Sequence, residues 1–207
     1  MAKQEAPLEY LRRFIPAPAV PRILQYLNHY QVHLTITRER KTVLGDYRHA
    51  HGHHSHRISV NSTLNPYAFL ITLIHEMAHL VTFMEYGNRV QAHGKEWKNV
   101  YAHLLADFLE MKVFPADIQQ SLQRSIHDLP ASSCSDDELM RVLKNYDNNN
   151  SGLEIVEQLA EGTLFKLEDG RTFRKGKKLR KRYQCLEVQT GKLYLFSPVY
   201  EVKRCES

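Results

Sequence analysis

The stretch ITLIHEMAHLVTF, residues 71–83, constrains this chain more than any other. It sets two histidines and a glutamate inside an apolar run, where an unpaired imidazole or carboxylate costs several kcal/mol. The wider run from Tyr67 to Met84 approaches the length of a membrane span. Thr72, His75, Glu76, His79 and Thr82 interrupt it at its centre, where ionisable groups are most costly. The stretch therefore reads as the buried central helix of a soluble fold, with a polar face that has something to hold. Asn65 as N-cap and Pro66 at the first helical position predict its start. Gly87 is its natural stop.

Residues four apart on a helix share one face, so His75 and His79 can turn their imidazoles toward a single ion. Glu76 then stands where a carboxylate can take a proton from water bound to that ion. Zinc with an open position brings such a water to a pKa near 7. The expectation is one zinc ion, with Glu76 as the base, and it requires a third ligand. Glu85 lies six residues past His79, but a continuing helix carries it about 9 Å along the axis, too far to close the site. Glu96 sits on the next helix, and His93 lies in the loop before it. His93 is the favoured ligand and Glu96 the reserve.

The rest of the chain reads as α+β. LEYLRRFI and AVPRILQYLNHYQ have helical spacing, and VHLTIT, KTVLGDYR and HRISVN read as a small three-stranded antiparallel sheet. KEWKNVYAHLLADFLEM places Trp97, Tyr101, Leu104, Leu105 and Phe108 on one helical stripe. A shorter helix follows in FPADIQQSLQRSIHDLP, then one in SDDELMRVLKNYD, opened by Ser135 and Glu138 as a capping box. DNNNSG is the clearest linker. Its likeness to a calcium loop fails at Gln158, which cannot supply the bidentate carboxylate. Beyond it, five short β-rich segments with turns at DG and TG predict a small all-β module.

With those residues in view, a resemblance emerges. HEMAH, AHGKEW, RERKTVLGDYR and HRISVN resemble the SprT family, which includes the Spartan proteases, over roughly residues 20–110. The resemblance implies a zincin-like minimal zinc metallopeptidase. Its third ligand is a His within a His-Gly-x-x-aromatic pattern, matched by His93, Gly94 and Trp97. It thus implies zinc ligation by His75, His79 and His93, and catalysis by Glu76. The expected domains are 1–128 for the SprT-like peptidase, 129–152 for a helix and linker, and 153–207 for a basic β module. Many SprT proteins end in a zinc ribbon with two cysteine pairs. This tail has only Cys185 and a distant Cys205, so a second zinc is not expected.

The net charge of +5 is uneven: FKLEDGRTFRKGKKLRKR, residues 165–182, holds nine basic residues against two acidic. Arg174, Lys175, Lys177, Lys178, Arg180, Lys181 and Arg182, with Phe173, Tyr183, Tyr194 and Phe196 nearby, form a candidate nucleic-acid-binding segment. A solvated strand and turn explains the same run. The family likeness, which implies action on proteins attached to DNA, tilts the reading toward DNA as a partner beside the protein substrate. RHAHGHHSH, residues 48–56, reads as a polar hairpin loop in preference to a second metal site. Tyr67 and Tyr101 are both available to stabilise an oxyanion, and spacing selects neither. Three scattered cysteines and an N-terminus without a secretory pattern lead us to expect a cytoplasmic protein.

Overall fold

The computed structural model of the protein describes residues 8–38, 40, 43–126, 136–147 and 152–205. The chain divides into two compact units, residues 1–147 and 148–207. Ser135 and residues 148–151 of the DNNNSG segment lie outside the described residues.

The first unit is built around the long helix. After a short 3-10 segment, Leu8–Arg13, come α1 (Val20–His29), β1 (His33–Thr37), β2 (Gly45–Arg48) and β3 (Arg57–Asn61). Then follow α2 (Pro66–Tyr86), α3 (Lys95–Glu110), α4 (Ala116–Ser125) and α5 (Asp137–Leu143). The first segment is 3-10 where an α-helix is expected, because prolines at 16, 18 and 21 leave too few residues for sustained α-helical bonding. In α2, Asn65 accepts hydrogen bonds from the backbone N–H groups of Tyr67 and Ala68, and Gly87 closes the helix at φ 61°. Every residue from Phe69 to Ala78 is buried, so this helix is covered on all sides. By length and composition it could cross a membrane, yet 72% of its apolar window is buried inside the fold. Its apolarity is that of a core helix.

Trp97, Tyr101, Leu104, Leu105 and Phe108 form the buried stripe of α3 against it. α5 belongs to the same core through Leu139 and Leu143. Its N-cap is Asp136, whose carboxylate accepts from the N–H groups of Glu138 and Leu139. The side-chain amide of Asn65 donates to Leu143 O at 2.9 Å and to Asp147 Oδ1 at 2.7 Å. One buried residue therefore caps α2 and ties down the end of α5.

The three-stranded sheet corrects one expectation. Its order is β1-β3-β2, with β1 parallel to β3 and β2 antiparallel to it, so the sheet is mixed. β3 takes the centre because Ile58 and Val60 are fully buried, whereas no residue of β1 or β2 is. The chain must cross β3 between β1 and β2, and Arg40 pins that crossing. Its guanidinium donates to Asn61 Oδ1 and Ser59 Oγ, and the Asn61 amide donates back to Arg40 O.

The second unit is an antiparallel sheet of order β4-β9-β5-β6-β7-β8. Its strands are β4 (Glu154–Ile155), β5 (Leu164–Lys166), β6 (Thr172–Leu179), β7 (Arg182–Glu187), β8 (Leu193–Phe196) and β9 (Glu201–Arg204). Val156, Leu159, Phe165, Phe173, Cys185, Phe196 and Val202 form its own core.

Candidate metal centre

The three histidines singled out in the sequence converge. His79 Nε2 lies 2.9 Å from His93 Nε2, which lies 3.3 Å from His75 Nε2. Among the described residues, this is the one group of three or more His, Cys, Asp or Glu side chains whose ligand atoms all lie within 4.8 Å of one another. α2 supplies His75 and His79 one turn apart. His93 arrives from the loop before α3 with a left-handed backbone, φ 61°, an uncommon state for a residue with a side chain. Gly94 closes the tight turn that begins at Gln91, where a Cβ would stand 3.0 Å from Gln91 O. Glu96 is in the first turn of α3 and outside the group, and Glu85 is on α2, exposed.

Trp97 underlies all three rings, with centroid distances of 4.7 Å to His75, 5.1 Å to His79 and 4.7 Å to His93. Tyr101 packs on Trp97 at 4.9 Å and on His75 at 5.6 Å. Tyr67 packs elsewhere, against Phe114 and Tyr146. Structure thus separates two tyrosines that spacing could not. Burial raises the Tyr101 phenol above its ordinary value, with the Glu76 and Asp136 charges adding, so it stays neutral.

The donor set fits a metal such as zinc. Burial, with the neighbouring imidazoles disfavouring a further proton, pushes His75 down to about 3 and His79 to about 4, and burial lowers His93 as well. All three imidazoles are then neutral near pH 7, with lone pairs available. Imidazoles bound to one zinc at ~2.0–2.1 Å stand about 3.3 Å apart, close to the observed spacing. Among the described residues, three buried side-chain polar atoms lack a hydrogen-bond partner: His75 Nδ1, Thr82 Oγ1 and Trp97 Nε1. Buried groups are almost always paired, and all three orphans belong to residues in or beside this cluster.

Glu76 is buried as well, and β2 holds it. It accepts the backbone N–H of Tyr47, and Gly45 lies so close that a Cβ there would stand 2.6 Å from Glu76 Oε1. Burial, then the negative charge of Asp46, raises the carboxyl to about 8, while Arg40 and the Tyr47 N–H pull the other way. The closeness of Gly45 carries no pattern that spacing could reveal; only the packing of β2 on α2 exposes it.

The histidine-rich segment joins β2 and β3, with His51 and His54 bridged through their backbones. It contributes no second three-ligand group among the described residues. The basic segment becomes the β6–β7 hairpin, broken by a register shift between Lys175 and Lys178. Arg174, Lys177, Lys178, Arg180, Lys181 and Arg182 are exposed. Lys175 is buried, its ammonium donating to Glu157 O at 3.1 Å and to Leu159 O. That lysine is taken up by the fold. Phe173 and Phe196 are in the core too, and Tyr183 faces the ammonium groups of Lys175 and Lys178.

Comparison with known proteins agrees on the family. The SprT-like family model matches residues 22–118, from α1 through α3 and into α4. Protein SprT of Vibrio parahaemolyticus is 60% identical over 37 residues, 17% of this chain and 22% of that protein. Protein SprT of Pseudomonas putida is 31% identical over 70 residues, 34% of this chain and 29% of that protein. The matched parts therefore span less than a third of either relative. No solved structure is significantly similar to the chain. Residues 22–118 are thus a SprT-like domain.

Proposed function

We propose that the first unit is a zincin-like zinc endopeptidase, with His75, His79 and His93 holding one zinc ion and Glu76 serving as base and acid. The observation that carries this reading is the convergence of three neutral imidazole nitrogens beside a buried carboxylate. Bound zinc would supply a water of pKa near 7 and polarise the scissile carbonyl. Glu76 takes the proton of the attacking water at its carboxylate and returns it to the leaving amine nitrogen. Its high proton affinity in the metal-free protein suits the second half of that task. Nearby positive charge favours the ionised form that the first half needs. β2 fixes where the carboxylate stands, through the Tyr47 N–H and the close approach of Gly45. Trp97 fixes the imidazole rings and keeps bulk water from behind them.

The exposed cations of the β6–β7 hairpin support DNA, single-stranded or duplex, as a further partner, and DNA-bound or DNA-crosslinked proteins as substrates. Cys185 and Cys205 are free thiols, which suits the cytoplasm. The deciding experiment compares wild type with Glu76→Gln, zinc bound in both, on a DNA-bound protein with and without single-stranded DNA. Wild type is expected to cut, and the variant to lose at least a hundredfold in rate. A wild type that cuts nothing, or a variant that cuts as fast, refutes the reading.

A further inference from the structure

A cavity of about 200 Å³ lies against His79. Its walls come from separate parts of the first unit. Phe83 stands one turn past His79 on α2, Tyr47 and His49 come from β2 and the turn beyond it, and Val90 comes from the loop that leads to His93. Trp97, which underlies the three histidines, lines it too, and the uncharged polar side chains of Thr82, Asn88 and Gln91 share the wall. The walls brace one another: the His49 ring stacks on Phe83 at 4.7 Å and 19°. Tyr47 is held from behind by a 2.9 Å hydrogen bond between its hydroxyl and His56 Nδ1.

We infer that this cavity receives the side chain of the substrate residue next to the scissile bond, and selects an uncharged apolar side chain of about leucine to phenylalanine size. This rests on the peptidase reading. Three observations carry it. The cavity shares His79 and Trp97 with the metal centre, and consecutive Cα atoms are only 3.8 Å apart, so a neighbouring side chain reaches it directly. Its volume is below the range of drug-sized pockets and suits one side chain. None of the described residues lining it is an Asp, Glu, Lys or Arg. A charged side chain would lose its hydration there without a counter-ion, whereas an apolar one would displace water from aromatic walls.

The test uses the zinc-loaded full chain and the hydroxamates of N-acetyl-glycine, N-acetyl-leucine and N-acetyl-glutamate. The hydroxamate group anchors each compound to the ion, so the three differ only in what they offer the cavity. Binding is followed through the fluorescence of Trp97, the single tryptophan of the chain. The leucine compound is expected to bind at least tenfold more tightly than the glycine and glutamate compounds. In Val90→Phe, the filled cavity should bring the leucine-to-glycine ratio down to about one. In His49→Ala, on the exposed turn, a cyclohexylalanine hydroxamate should gain on the leucine compound. Equal affinities for leucine and glycine in wild type, or ratios unchanged in both variants, overturn the assignment while leaving the metal centre standing. A glycine hydroxamate that fails to bind, on protein that retains no zinc, removes the peptidase reading and this inference with it. The glycine compound tells the two failures apart.

Discussion

His93 stands in a left-handed backbone state that most residues with a Cβ avoid. Such conformations persist where the surroundings over-determine them, and they cluster at functional sites. Here the surroundings are the Gln91–Gly94 turn and the face of Trp97. His93→Ala should therefore empty the site, while Glu96→Ala should keep close to one zinc per chain; metal analysis of the purified proteins reads both. A second prediction concerns Glu76. In the metal-free protein its carboxyl is raised from 4.5 to about 8, so its contribution to stability is complete below pH 4.5 and is lost as pH rises through 8. His75 and His79 act in the other direction: their contributions are present above 6.5 and are lost as pH falls through about 4 and 3. After chelation, wild type should lose melting temperature between pH 6 and 8.5, and Glu76→Gln should lose less over the same range. Parallel profiles would mean that Glu76 is not the buried acid described here. His75, His79 and Glu76 were legible in the sequence because an apolar helix has no other use for them, and His93 because its loop carries the His-Gly-x-x-aromatic pattern. Thr82 and Trp97 as holders of orphaned polar atoms were not, since only packing shows which atoms lack partners.

Between elements, β2 approaches α2 closely at the base. A Cβ at Gly45 would meet Glu76 Oε1 at 2.6 Å and Thr72 Cγ2 at 2.7 Å, both on buried residues that cannot swing away. Gly45→Ala should cost about 1–3 kcal/mol in denaturant unfolding, as overpacked cores do. It should also slow turnover, because the strand that orients the base is displaced. Zinc content should hold, since His75, His79 and His93 do not lie on β2; loss of the ion from this variant would place the strand's influence on the ligands instead. The ends of α2 were legible because capping is local: Asn65-Pro66 and Gly87 act within one turn. The pairing of β1 with β3 was not. Strand order depends on which strand buries both flanks, and the Arg40–Asn61 contact that secures the crossover joins residues 21 apart. The Lys175 ammonium was hidden for a related reason. A run of cations looks uniformly solvated until the strand's alternation, and the register shift after it, turn one of them inward.

At the scale of the molecule, one chain builds two cores, each closed by its own residues. Chemistry and charge divide between them: the candidate zinc site lies in the first unit and the exposed basic hairpin in the second. Reversing Lys178, Arg180 and Arg182 to Glu should weaken DNA binding and flatten its salt dependence, by roughly 0.7–0.9 in log–log slope for each phosphate contact removed. Binding measured across a salt series reads this, and an unchanged slope would exclude the hairpin as the contact surface. Lys175→Glu is the contrasting substitution. It puts a carboxylate against two carbonyl oxygens and leaves both without their donor, so it should unfold the β module.

The segment between His79 and His93 has one more property. It ends in His93, the proposed third ligand, and on the way it supplies Val90 to the cavity wall. An ion gripped by residues 14 apart closes a short loop, much as a clasp closes a bracelet. If zinc closes that loop, its removal should leave the Val90 wall less constrained. Chelation would then do more than remove the reactive centre: it would erase the chain's preference among side chains. Metal supply and substrate choice would thus rise and fall together.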